Sequence, residues 1–147
     1  MKHKGFTLVE LVISIMIIAI ISAVAVPGIL NYQAKQLEDQ FVNQFINQLR
    51  TLENISMTKD INTKFYIQNK TIYFCEVENT NCKQLEVPSN IGVPSPLTID
   101  TYYFDRYSNV LHADKVPLQP NEVSFETNLY IIKVNKYGGI TKENKTQ

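Results

Sequence analysis

A carboxylate stands where a carboxylate is costly: Glu10 is the only formally charged residue between Phe6 and Val26, in an otherwise apolar run. An ionised side chain at the centre of a spanning helix costs about 2.5–3.5 kcal/mol even on insertion scales, and normally takes a partner. The stretch Lys4-Gly5-Phe6-Thr7-Leu8-Val9-Glu10 joins a basic start, a small residue, an aromatic and this acid. Other chemistry is sparse. Cys75 and Cys82 flank Asn79, Thr80 and Asn81, so they either close a short loop, in an oxidising compartment, or stand as free thiols. A closed loop of about eight residues contributes roughly 2–3 kcal/mol on the chain-entropy estimate. His112 is the only histidine beyond His3, and two Cys with one distant His lack the spacing of a zinc site, so no metal is expected. No nucleophile elbow, P-loop, dinucleotide fingerprint or H-E-x-x-H occurs, so no catalytic residue and no cofactor are expected, and the chain reads as a non-enzyme.

The element that must carry Glu10 is a helix. Over Phe6–Val26 it would be about 31 Å long, close to the roughly 30 Å hydrocarbon core of a bilayer. Lys2 and Lys4 precede it, and no basic residue follows before Lys35, so the positive-inside tendency keeps the N-terminus in the cytoplasm and sends the rest outside. Three readings compete for this segment: a signal peptide cut after Ala23-Val24-Ala25, a plain anchor that leaves Glu10 unexplained, and a processed helix whose acid has a purpose. Pro27 removes a backbone donor beside Gly28, which predicts a kink or local melting there.

Beyond it the helix resumes. Leu37, Phe41, Phe45, Leu49, Leu52 and Ser56, with Val42 and Ile46, give one apolar face to about Met57, while Gln36, Asp39, Gln40, Asn43, Asn47 and Arg50 are polar. That face should lie on a sheet. Strand patterns follow: a hairpin of residues 64–68 and 71–77 around Asn69-Lys70, then residues 97–104, 110–111, 122–125, 129–135 and 140–142. Proline-bearing segments 88–96 and 117–120 read as surface connections. Tyr102, Tyr103, Phe104, Arg106 and Tyr107 could stack nucleic-acid bases around a cation, or alternate into a core. The whole chain holds 14 basic and 14 acidic residues, and loss of Lys2 and Lys4 would leave a net charge of about −2, which does not favour phosphate binding.

The run from Lys4 to Glu10, followed by an apolar block, resembles the processing site of type IV prepilins and type II secretion pseudopilins. The resemblance implies an α+β type IV pilin fold, with a long N-terminal helix, half membrane-embedded and half amphipathic, packed on an antiparallel sheet domain. It implies a leader 1–5, a transmembrane and filament-core helix 6–30 and an extracellular domain 31–147. A prepilin peptidase would cut after Gly5 and methylate Phe6, and Glu10 would pair with the terminal amine of a neighbouring subunit. Pro27 and Gly28 sit where many pilins carry a helix-weakening proline. The implied partners are other pilin subunits, the peptidase and a membrane assembly platform with its ATPase; the subunit is single-pass in the cell membrane before assembly and at the cell surface in a filament after it. The order of hairpin, Phe104-Asp105-Arg106-Tyr107-Ser108 turn, Tyr130–Val134 strand and Gly138-Gly139-Ile140 turn is similar to H-type minor pseudopilins and the minor pilin of Gram-positive competence systems, although Ser108 stands where that family usually has Gly. This points to a minor subunit serving DNA uptake or a related pilus. A major pilin, a secretion pseudopilin, or a membrane-anchored module binding DNA or another ligand are the alternatives.

Overall fold

Glu10 and the sheet domain share one secondary-structure element, the helix α1, Leu8–Lys59. The computed structural model describes residues 6–77, 82–92, 101–112 and 122–145. By compactness the chain divides after Gln36.

In the first unit the described side chains from Phe6 to Gln36 are all exposed, including Leu8, Ile13, Ile17, Ile21 and Leu30. This part of α1 is long and apolar enough to cross a membrane. Its hydroxyls are satisfied within the helix, Ser14 donating to the Glu10 carbonyl at 2.7 Å and Ser22 to the Ile18 carbonyl at 2.8 Å, as an apolar solvent requires. The helical assignment continues through Pro27 and Gly28.

In the second unit the 3.6-residue period places Phe41, Val42, Phe45, Ile46, Leu49, Leu52 and Ser56 in the core. Leu37 departs from the expected face and is exposed, while Glu38 is only 4% exposed. The cause is hydrogen bonding: the Glu38 carboxylate accepts from Thr127 Oγ1 at 2.7 Å and from the Leu129 N–H at 2.6 Å, which offsets the desolvation of a buried charge. α1 ends at Asp60, which takes a left-handed φ of 55° while the Ile61 N–H returns to the Ser56 carbonyl at 3.2 Å.

Five antiparallel strands form the first sheet: β1 Thr63–Gln68, β2 Thr71–Glu76, β3 Cys82–Glu86, β4 Tyr102–Phe104 and β5 Val110–Leu111, in the order β3-β2-β1-β4-β5. The second holds β6 Glu122–Glu126, β7 Tyr130–Asn135 and β8 Ile140–Asn144 in sequence order. This is the α+β arrangement expected, a long helix with antiparallel sheets packed on its amphipathic part. The β1–β2 turn is made by Asn69 and Lys70, both at positive φ, 51° and 60°, the twist that suits a two-residue hairpin. Register brings Phe65 opposite Phe74 on one side and Tyr102 on the other. Phe45 of α1 then meets Phe65, Phe74 and Phe125 with ring centroids 5.7–6.5 Å apart, so one aromatic cluster joins helix and both sheets.

The described ends of the other expected strands fall within two residues of the expectation, and two departures are larger. β3 is not among the expected strands, because Lys83, Gln84 and Glu86 break the apolar alternation of an edge strand that its pairing with β2 holds in place. Strand structure at Tyr102–Phe104 starts late: residue 101 is irregular, and 97–100 lie outside the described residues. Residues 93–96 of the Pro88–Pro96 connection and all of Pro117–Pro120 lie outside them too.

Candidate processing and assembly site

Phe6, Thr7 and Glu10 open α1. The leader, Gly5 included, lies outside the described residues, and Phe6 is almost fully exposed. Thr7 and Glu10 form a reciprocal cap: the Thr7 N–H and Oγ1–H donate to Glu10 Oε2 at 3.0 and 2.9 Å, and the Glu10 N–H donates to Thr7 Oγ1 at 3.3 Å. This is a capping box, Thr at the cap and Glu three residues on, which satisfies donors that a helix start otherwise leaves bare. A single chain therefore already gives Glu10 a partner. The T-x-x-E spacing of Thr7 and Glu10 is the sequence signature of this cap. Both side-chain bonds fall on Oε2, and among the described residues nothing engages Oε1.

The site can do three things chemically. It offers an exposed Phe6 at the mouth of a helix, a negative group near the positive end of the helix dipole, and one carboxylate oxygen ready for a cation. None of these is a reaction the chain performs on a substrate.

The remaining candidates separate. Cys75 and Cys82 lie opposite each other in β2 and β3, 4.4 Å apart at Cα, and are joined as a disulfide. Tyr102 and Phe104 are buried against Phe65 and Phe125, so the aromatic stretch of β4 alternates into the core. Arg106 and Tyr107 fall beyond the strand, in the turn before β5, where Arg106 pairs with Asp60 at 3.3 Å. Among the described residues no group of three His, Cys, Asp or Glu is placed to hold a metal ion.

Electrostatics ties the helix to the second sheet. Lys142 of β8 donates to Asp39 Oδ1 and, at 3.1 Å, to Asn43 Oδ1, and its ammonium lies 4.2 Å from the Tyr130 ring centroid. The hydrogen bond from Lys142 holds the Asp39 carboxyl below its ordinary value, against the opposing effect of desolvation. Burial, with Asp39 next to it, raises the Tyr130 phenol.

Residues 1–26 match the family described as the prokaryotic N-terminal methylation motif. That motif is the type IV prepilin signature, and it supports assignment of this α+β chain to the type IV pilin and pseudopilin family. No curated protein and no solved structure gives a match. Members of this family are substrates of prepilin peptidase and associate with other pilin subunits.

Proposed function

We propose that the chain is a minor structural subunit of a type IV pilus-like filament. Prepilin peptidase cuts it after Gly5, the new amine of Phe6 is methylated, and the mature subunit enters the filament through residues 6–30. The observation that carries this reading is the methylation motif over residues 1–26, joined to an exposed apolar helix that starts with a carboxylate. Before assembly the helix crosses the cell membrane with its N-terminus inside and residues 31–147 outside. In the filament, Glu10 Oε1 receives the terminal ammonium of a neighbour while Oε2 keeps the cap, so one side chain both starts its own helix and sets intersubunit register. Pro27 and Gly28 supply a point of local give where the lipid-matched helix meets the domain-bearing part. An assembly platform with its ATPase draws the subunit from the membrane. Resemblance in the order of turns and strands supports a minor subunit, serving DNA uptake or a related pilus.

The test compares wild type with Gly5→Val in the native host. Gly5→Val should accumulate as full-length precursor in the membrane and vanish from sheared surface filaments. Equal recovery of both chains in the sheared fraction would remove the basis for the proposal.

A further inference from the structure

Two turns of the second unit follow one plan. In Asp105-Arg106-Tyr107-Ser108-Asn109 the Asp105 Oδ1 accepts the N–H groups of Tyr107 and Asn109, both at 2.8 Å. In Asn135-Lys136-Tyr137-Gly138-Gly139 the Asn135 Oδ1 accepts those of Tyr137 and Gly139, both at 2.9 Å. Each fourth residue returns its N–H to the first carbonyl at 3.0 Å and takes a left-handed φ, 65° at Ser108 and 82° at Gly138. The second position of each turn is a cation and the third a tyrosine. The turns lie side by side, because the Val110 N–H donates to the Lys136 carbonyl at 3.0 Å and Ser108 Oγ reaches the Tyr137 carbonyl at 3.4 Å. The Ser108 hydroxyl also donates to Glu53 of α1, which pins both turns to the helix.

On this tied framework Tyr107 is 75% and Tyr137 68% exposed. Beside the rings stand Arg106, ion-paired with Asp60 at 3.3 Å, and Lys136, whose ammonium lies 4.8 Å from the Tyr137 ring centroid. Rigid, amphipathic tyrosines held out at little entropic cost are contact residues by chemistry.

We propose that Tyr107, Tyr137 and the Arg106–Asp60 pair form a binding platform for a neutral polysaccharide strand. A pyranose ring has an apolar C–H face and a rim of hydroxyls. The tyrosine rings take the faces; the guanidinium donates to hydroxyl oxygens and the carboxylate accepts from hydroxyl hydrogens, so one ion pair serves both halves of the rim without net charge. A polyanion suits the place poorly, since Asp60 balances Arg106, while Asp105 of the first turn and Glu53 of α1, bonded to Ser108, add two carboxylates against the one ammonium of Lys136. A protein partner calls for a continuous apolar centre, whereas the other members of the two turns, 105–109 and 135–139, include no large apolar side chain.

The full chain, in lipid nanodiscs free of sugar detergents, is titrated with cellohexaose, chitohexaose and maltohexaose, and with a short single-stranded oligonucleotide. With no tryptophan in the chain, tyrosine emission and calorimetry report binding. At least one hexasaccharide should bind, without dependence on salt. Tyr107→Ala and Tyr137→Ala should each weaken it about tenfold, as loss of a contact hot spot does. Tyr107→Phe should keep affinity within about twofold, because the ring remains. Both tyrosines being exposed, the Ala variants should melt like wild type; should one not, Arg106→Gln, which keeps the turn, must still weaken binding. Three outcomes overturn the proposal: no hexasaccharide binding at millimolar concentration, binding indifferent to both Ala variants, or salt-sensitive oligonucleotide binding that both Ala variants abolish.

Discussion

Replacing Glu10 by Gln and by Ala separates the two roles proposed for that side chain. Gln keeps a side-chain oxygen that can accept from Thr7, whose N–H lies 3.0 Å and hydroxyl 2.9 Å from Oε2, so the capping box survives. Ala removes it, at a cost of about 0.3–1.5 kcal/mol to the helix start. Neither change hinders insertion, since the ionised carboxylate is the species lipid disfavours. If the carboxylate also meets a neighbour's ammonium, both variants strand that ammonium in an apolar bundle, and removing one member of a buried pair costs about 3–5 kcal/mol. This corresponds to roughly a 10²–10⁴-fold loss in subunit association, against which the capping difference is minor. The assay follows membrane level, leader cleavage and recovery in sheared filaments for wild type and both variants. Pairing predicts normal membrane level and cleavage, with incorporation lost to a similar extent in Gln and Ala. Gln incorporated like wild type, with only Ala impaired, would show that Glu10 acts as a cap and nothing more.

Three predictions concern the folded domain. Ser108→Ala keeps a left-handed backbone at φ 65° and loses a charge-assisted bond to Glu53, about 1.5–3 kcal/mol. Ser108→Gly loses the same bond but recovers about 1–2 kcal/mol of backbone strain, so the Gly variant should melt above the Ala variant; a Gly variant below Ala would contradict this. Replacing Cys75 and Cys82 together by Ser should lower the melting temperature by about 10 °C, from about 2.5 kcal/mol of loop entropy spread over a domain of this size, with the circular dichroism spectrum unchanged. Because Lys142 depresses the Asp39 carboxyl, the pair's stabilisation is complete above the ordinary value of 3.8 and is lost as pH falls through the lowered folded value. With 26% and 39% of the two side chains exposed it amounts to less than about 1 kcal/mol; the melting difference between wild type and Asp39→Asn should therefore be small at pH 6 and close to zero near pH 2.

Where side-chain period alone decides burial, the sequence was legible. Phe41, Phe45, Leu49 and Leu52 declare a helix face, and Phe65, Phe74, Tyr102 and Phe104 fall on the core side of their strands by the alternation of a pleat. Where a partner far along the chain decides, it was not. Glu38 is buried and Leu37 exposed because Thr127 and the Leu129 N–H supply hydrogen bonds from the β6–β7 turn, which no helical period encodes. β3 is held by its pairing with β2 and by the bond from Cys75 to Cys82, so its own composition says little. The shared plan of the turns at Asp105 and Asn135 was written in the residues, as Asp or Asn first, tyrosine third and Ser or Gly fourth; only the hydrogen bonds reveal that two short and different-looking segments are equivalent. The N-terminal site is the reverse case, a local motif legible before any fold, whose proposed second partner, a terminal ammonium, belongs to another molecule.

The central claim is that this helix is cut at its cytoplasmic end and kept, as a filament subunit's is, rather than removed as a signal peptide. Mass spectrometry of the N-terminal peptide from protein extracted from the native membrane and from sheared filaments tests it directly. Processing at Gly5 yields a mature chain beginning at Phe6, heavier by one methyl group on its amine, with Glu10 and the apolar run intact, and that is the result expected. A chain beginning at Val26, or one that still carries Met1 through Gly5 in both fractions, would contradict it.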